Sequence, residues 1–377
     1  MTNKHSWRWG ILLSASLLAV GCSQTTTGDS DGPLTLIAGS YAPASDEGIR
    51  MFTFDQETGE STPVCGLRGI SNPSYLTITD DGRHVYAVGE NKEDSATVHL
   101  VLLDPAAGKM RLADTKRVHG ADPCHLAITP DSAHLVTANY SGGSITLFPL
   151  KADGSLEEGL VLRFSGSGPD KGRQEQAHMH SIYFSPEGQW LMADDLGSDC
   201  IRMFPLAAQT RLGIDTTRAR QVEVAPGSGP RHATFDTAGR HLYLLDELKG
   251  DVVVWNYSDG HLTQTQSIQA DSVGARGSAD IHLSPDGKFL YASNRLKADG
   301  IAIFQVDSAS GKLTRIGYQD TGAHPRNFAI TPNGKFLLVA CRDTDQIEIY
   351  SRDATTGMLT DTGKRINMPK PVVVKMV

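Results

Sequence analysis

Gly229 to Trp255 reads GPRHATFDTAGRHLYLLDELKGDVVVW, and this stretch decides the fold. His232 to Phe235 predicts a short strand. A turn at Ala238-Gly239 leads into a second strand, His241 to Leu245, rich in Leu and Tyr. The polar corner Asp246-Glu247-Leu248-Lys249-Gly250 reverses the chain into a third strand, Asp251 to Trp255. Period-two runs bounded by Gly and Asp clusters specify an antiparallel meander, because successive side chains of a strand face opposite sides of its sheet.

The same pattern recurs along the chain. Its turn appears as Asp81-Gly82-Arg83, Pro130-Asp131-Ser132, Pro186-Glu187-Gly188, Thr237-Ala238-Gly239, Pro285-Asp286-Gly287 and Pro332-Asn333-Gly334, at intervals of 47 to 56 residues. Pro presets φ and Gly tolerates positive φ, which suits a tight turn. An apolar strand follows each turn, then a polar corner and a third strand. A fourth, more polar strand lies behind turns such as Ser258-Asp259-Gly260. Four strands per unit at this period describe a β-propeller.

Six units are complete and a seventh is split across the termini. Leu34 to Tyr41 and Gly48 to Asp55 look like second and third strands without a first, and Pro371 to Met376 is an apolar strand with nothing after it. Pairing the two would close the ring and cover its open edges. The expected fold is all-β: a seven-bladed β-propeller of four-stranded antiparallel blades over residues 33–377, closed by the N- and C-terminal strands. Six or eight blades are the alternatives. The Gly-rich segment Ser165 to Gln176 is expected to be a surface loop.

Residues 1–21 read as a signal peptide. Lys4 and Arg8 precede the apolar run Ile11 to Val20, which is too short for the roughly 20 residues of a membrane span. Ala19-Val20-Gly21-Cys22 resembles a bacterial lipobox, which implies cleavage before Cys22 and its lipidation; an ordinary signal peptide cleaved nearby is the alternative. Residues 22–32 are Thr-, Ser-, Asp- and Gly-rich and read as a flexible tether. The expected location is the bacterial cell envelope, at the periplasmic face or outer membrane, with membrane contact through the lipid alone. Formal charge is −8 for the 377-residue chain, and −10 without Lys4 and Arg8. Such acidity argues against nucleic acid as a partner, since phosphate contacts dominate that affinity. Cys65, Cys124, Cys200 and Cys341 are scattered with no CxxC and read as small buried residues. No metal site or cofactor is read from the spacing.

Several stretches carry a family resemblance. They are His178-Met179-His180-Ser181, Gly229-Pro230-Arg231-His232, Asp246-Glu247-Leu248, Ala279-Asp280-Ile281-His282, Asn294-Arg295 and His324-Pro325-Arg326-Asn327. The chain resembles the seven-bladed lactonase family that includes bacterial 6-phosphogluconolactonase and the fungal carboxy-muconate cyclases. The resemblance covers nearly all of the mature chain. It implies an active constellation of His180, Arg231, Glu247 and Arg295, with His180 preferred over His178 because Ser181 follows it.

The residues themselves point to the same place. In a four-stranded blade the first strand begins, and the second ends, at one mouth of the ring. First-strand starts supply His125, His178, His180, Arg231, His232, His282 and Arg326; second-strand ends supply Glu90, Asp194, Asp195, Glu247, Arg295 and Arg342. Convergent charged groups in a concave mouth are the default site. His125, His178, His232, His282, Arg326 and Arg342 are therefore expected to bind substrate, although a His in that position also caps backbone groups. Four arginines in one mouth of an acidic protein suit a carboxylate or phosphate. Asp194 and Asp195 read as structural turn acids. The chain has no Gly-x-Ser-x-Gly elbow, which argues against a serine triad. The expected activity is hydrolysis of a small anionic sugar lactone, most like that of 6-phosphogluconolactonase. Water would be activated by Glu247 or His180, with Arg231 and Arg295 stabilising negative charge. The alternatives are an exported propeller that binds a ligand, glycan or protein without catalysis, and an isomerase of the muconate-cyclising kind. Export sits awkwardly with a phosphorylated cytoplasmic lactone, so a different lactone is a further expectation.

Overall fold

In every blade the second strand is apolar on both faces, so it must be covered on both sides. The computed structural model, which describes residues 33–377, meets that demand with seven four-stranded antiparallel sheets. All six residues of His134–Asn139, Trp190–Asp195, His241–Asp246, Phe289–Asn294 and Phe336–Cys341 are buried. The expected signal peptide, the expected tether and Cys22 lie outside the described residues.

Blade 1 is assembled from both ends of the chain. Pro371–Met376 pairs with Leu34–Ser40 in the register Leu36↔Met376 and Ala38↔Val374, and Ile49–Phe54 and Ser61–Leu67 complete the sheet. Blades 2 to 7 begin with Leu76–Ile78, Pro123–Ile128, Met179–Phe184, Pro230–Phe235, Ser278–Leu283 and Pro325–Ile330. These first strands touch one another in succession, and the last touches Pro371–Met376, so they enclose the axis. The split blade and the ring closure are as expected. In blade 5 the strand starts at Pro230 rather than His232, which takes Arg231 onto the sheet.

Seven apolar clusters hold the ring, each shared by two neighbouring blades. Tyr243, Leu245 and Val252 of blade 5 pack with Ile281, Leu290 and Phe304 of blade 6; Leu36 and Phe52 of blade 1 pack with Phe336 and Ile349 of blade 7. Close backbone approach adds a recurring lock. The outer hairpin of one blade presses a glycine onto the residue that opens the second strand of the blade before it. A Cβ on Gly260 would meet Trp190 at 2.4 Å, and one on Gly311 would meet His241 at 2.4 Å. Both glycines have positive φ, so the turn and the contact exclude a side chain together. Among the described residues no helix is long and apolar enough to cross a membrane. Cys124, Cys200 and Cys341 are buried free thiols, and Cys65 is a partly buried one.

Candidate active site

The side chains at the mouth are aimed by β-bulges. In blades 3, 4, 5 and 7 the register slips between Pro123 and His125, Met179 and Ser181, Pro230 and His232, and Pro325 and Asn327. The unpaired residues are Cys124, His180, Arg231 and Arg326. An extra residue breaks the alternation and turns its side chain away from the two sheet faces. Blade 6 slips between Ser278 and Ile281. At blade 5 the approach is set by Gly229, with φ of 65°. A Cβ there would meet Leu248 at 2.6 Å. Its carbonyl accepts from the Glu247 N–H at 2.7 Å, which ties the Arg231 and Glu247 segments together.

Glu247 is the centre of the mouth. Arg231 Nε donates to its Oε2 at 2.9 Å, and Arg173 Nη2 donates to its Oε1 at 2.7 Å. Arg295 Nη2 lies 3.5 Å from Oε2, and His180 Nε2 lies 4.0 Å from the same oxygen. Arg231, Glu247, Arg295 and His180 are all buried. Burial pushes the Glu247 carboxyl up, but Arg295, Arg231 and Arg173 outweigh it and hold the group at about 2. The arginines are fixed by the backbone as well: Arg231 Nη1 donates to the Ala279 carbonyl, and Arg295 Nε donates to the Gly277 carbonyl at 2.8 Å. Burial, then Arg231, pulls the Arg295 guanidinium down to about 9, which leaves it cationic at neutral pH.

Arg326 lies beyond this cluster. Its Nη2 is 3.8 Å from Glu90 Oε2, and the Tyr41 hydroxyl donates to Glu90 at 2.9 Å. The mouth therefore holds four guanidiniums, Arg173, Arg231, Arg295 and Arg326, against two carboxylates, Glu247 and Glu90. Two positive charges remain uncompensated in a chain of net charge −8. A cationic excess of this kind suits an anion.

His180 adds a neutral imidazole at the edge of that field. Burial, then Arg231, His232, Arg326 and Arg295, holds its pKa well below 6.5. Deeper along the axis lies a chamber of about 160 Å³, lined by His125, His232, Asp280 and His282 among others. There His232 Nδ1 and His282 Nε2 each lie 2.8 Å from an Asp280 oxygen, and the Asn327 amide donates to the same carboxylate. His125 stacks on Tyr75 with ring centres 4.0 Å apart, and its Nδ1 accepts from the Ile182 N–H at 3.3 Å.

The expected residues thus divide. His180, Arg231, Glu247 and Arg295 converge, with Arg326 nearby. His125, His232 and His282 line the axial chamber below the mouth instead of the mouth itself. His178 stacks on Tyr140 and bonds its backbone carbonyl at 3.0 Å through Nδ1. Arg342 does not join the cluster: its Nε and Nη2 grip Asp343 at 2.6 and 2.9 Å, because the neighbouring carboxylate is the nearer partner. Arg173 went unread in the sequence. It lies in Ser165 to Gln176, which is more than a surface loop. Gln174 anchors that segment to the Leu196 carbonyl at 2.9 Å and to Asp199 Oδ1 at 2.7 Å, and so delivers Arg173 to Glu247. Asp195 is structural: Arg202 holds it at 2.8 Å, and it accepts from the His178 N–H at 2.8 Å.

A closed ring of seven four-stranded blades with an arginine-rich mouth defines a class of axial-site propellers. Residues 35–376 match the family described as lactonase, seven-bladed β-propeller. The chain belongs to that family, and with it to the lactone-hydrolysing enzymes. It is 37% identical over 318 residues to 6-phosphogluconolactonase of Formosa agariphila, covering 83% of this chain and 90% of the relative. It is 30% identical to 6-phosphogluconolactonase of Bacillus subtilis, covering 90% and 97%. Among solved structures, a Bacteroides fragilis protein superposes with TM-score 0.89 at 49% identity, covering 93% of this chain and 99% of that one. The periplasmic gluconolactonase of Pseudomonas aeruginosa superposes with TM-score 0.86 at 33% identity, covering 92% and 99%.

Proposed function

We propose that the enzyme hydrolyses a sugar lactone that carries an anionic group, 6-phosphogluconolactone being the substrate its named relatives favour. The observation that carries this reading is the convergence of Arg173, Arg231 and Arg295 on Glu247, with Arg326 beyond, leaving cationic excess in a buried mouth.

Glu247 serves here as scaffold. A carboxylate held at about 2 by three guanidiniums is a weak base, because protonating it would leave those cations uncompensated. His180 is the better candidate to take the water proton. As water attacks the carbonyl carbon, its proton moves to His180 Nε2 and negative charge builds on the carbonyl oxygen. Arg231 and Arg295 stabilise that oxygen. Collapse of the intermediate breaks the ring C–O bond, and the proton on His180 passes to the departing ring oxygen, giving the open hydroxy acid. An anionic group held by the remaining arginines would weaken the positive field at His180 and make its ring more basic once substrate is bound. The test follows acid release from gluconolactone and 6-phosphogluconolactone in a pH-stat. Acceleration above the spontaneous rate, greater for the phosphorylated substrate, is expected. Equal turnover of the two would remove the anion preference.

We also propose export and lipidation at Cys22, supported by the N-terminal sequence and the periplasmic relative. Incorporation of a labelled fatty acid, lost in Cys22→Ser, tests it.

A further inference from the structure

Two buried imidazole nitrogens lack a partner: His180 Nδ1 and His232 Nε2. Among the described residues they are the only ring nitrogens of histidine in that condition, and a buried polar atom left unpaired is costly. Their rings are neighbours, with centres 5.3 Å apart and planes at 66°. Two imidazoles that share an N–H···N bond have ring centres about 5 Å apart.

The chemistry at the far end fixes which atom donates. Burial raises the Asp280 carboxyl, but His282 and His232 outweigh it and keep the group ionised, so it only accepts. His232 Nδ1, 2.8 Å from Asp280 Oδ1, must then carry its ring's proton, and Nε2 is left as a lone pair. The two unpaired nitrogens do not bond each other as the rings stand, and a donor is what the His232 lone pair needs. Matching the two unsatisfied nitrogens to each other puts the proton of the neutral His180 ring on Nδ1. His180 Nε2, 4.0 Å from Glu247, is then a lone pair turned toward the mouth.

We infer that Asp280 and His232 are positioning residues for lactone hydrolysis: they hold His180 in the tautomer whose Nε2 can accept the water proton, through a chain Asp280–His232–His180 closed by a small turn of the neighbouring rings or by one water. This rests on the lactonase reading above and adds two groups to it. Asp280→Asn disturbs the chain with little change of shape. An amide donor facing His232 Nδ1 favours the opposite tautomer of that ring and removes the acceptor from His180.

Asp280→Asn and His232→Gln are each expected to lower kcat about 10²-fold or more, because the wrong tautomer of the base cannot take the proton, with KM nearly unchanged. In a His180→Ala background neither should lower kcat further. Equal losses with and without His180, or a raised KM at full kcat, would overturn the inference and leave the lactonase reading intact. Wild-type protein that leaves both lactones at their spontaneous rates removes both. A measurement independent of variant folding is the ¹⁵N spectrum of histidine-labelled wild-type enzyme. The Nδ1–H tautomer of His180 is expected, and the Nε2–H tautomer would overturn the chain.

Discussion

Asp246 and Glu247 are neighbours where blade 5 turns at the mouth, and they belong to different regions of the molecule. Glu247 faces the axis, where three guanidiniums hold its carboxylate ionised at about 2. Asp246 is fully buried at the end of the second strand, and burial pushes its carboxyl well above the usual range. Blade 4 sets two further buried carboxyls, Asp194 and Asp195, side by side at the end of its second strand. Burial raises Asp194 to about 7 despite donation from the Ser181 and Tyr183 hydroxyls, while Asp195 is paired with Arg202 at 2.8 Å. Adjacent residues of a strand end face opposite ways. In blade 5 Glu247 meets the cationic axis, and Asp246 meets low-dielectric packing without a paired cation among the described residues. The cations a buried carboxyl meets decide its charge, and its charge decides whether it organises chemistry or only fills space.

The largest effect should come from emptying the axial side of that comparison. Glu247→Leu leaves Arg173, Arg231 and Arg295 without their shared anion, and removing one partner of a buried ionic group costs about 3–5 kcal/mol. Asp246→Asn keeps the shape of a side chain whose charged form burial already disfavours, and should cost less than about 1 kcal/mol. Denaturant titration of both variants measures the difference. Equal midpoints would mean that the two regions are electrostatically alike.

Arg231→Ala comes next. It removes a guanidinium from the place where negative charge develops, and kcat/KM should fall about 10²-fold or more. Arg231→Lys should recover only part of that loss, because an ammonium cannot bond Glu247 and the Ala279 carbonyl as a planar fork does. A rise in KM at constant kcat would reassign Arg231 to ground-state binding.

A smaller effect separates the axial field with and without substrate. His180 must be neutral to accept a proton, and its pKa is held well below 6.5 by burial and by the charge of Arg231, Arg326 and Arg295 and of His232 when protonated. The acid limb of kcat/KM, which reports free enzyme, should therefore lie below pH 6.5. Bound anionic substrate offsets part of the positive field, so the limb of kcat should lie at higher pH than that of kcat/KM. Coincident limbs would show that substrate charge does not reach His180.

The seven-bladed ring was legible because every strand needed a partner, and the apolar run Pro371–Met376 and the strand Leu34–Ser40 could supply each other's. Much of the mouth was legible too, since His180, Arg231, Glu247 and Arg295 fall where strands start or end. The bulges were not, because a slip of one residue leaves no mark on an alternating apolar pattern. That is why His232, one residue past the bulge, was expected in the mouth and sits in the axial chamber. Arg173 was hidden for another reason: its place depends on bonds from Gln174 to Leu196 and Asp199, more than twenty residues away. Arg342 carried its own warning in the adjacent Asp343.

The smallest effect tests the inter-blade side. Asp194 titrates at about 7 in the folded protein and near 3.8 when exposed. Between those values the folded state keeps a proton that the unfolded chain has released. Stability from this site is therefore complete below about pH 4 and is lost as pH rises toward 7. Asp194→Asn carries no titrating group. Its hydroxyl partners Ser181 and Tyr183 can rotate to donate or accept, so at pH 4 it should resemble wild type. At pH 7 it should be the more stable of the two. Because 1 kcal/mol moves Tm by only about 2–4 °C in chains of 150–250 residues, and by less in longer ones, the shift in Tm should be a few degrees. A pH slope that survives the substitution would place the neutral carboxyl elsewhere, with Asp246 the next residue to exchange.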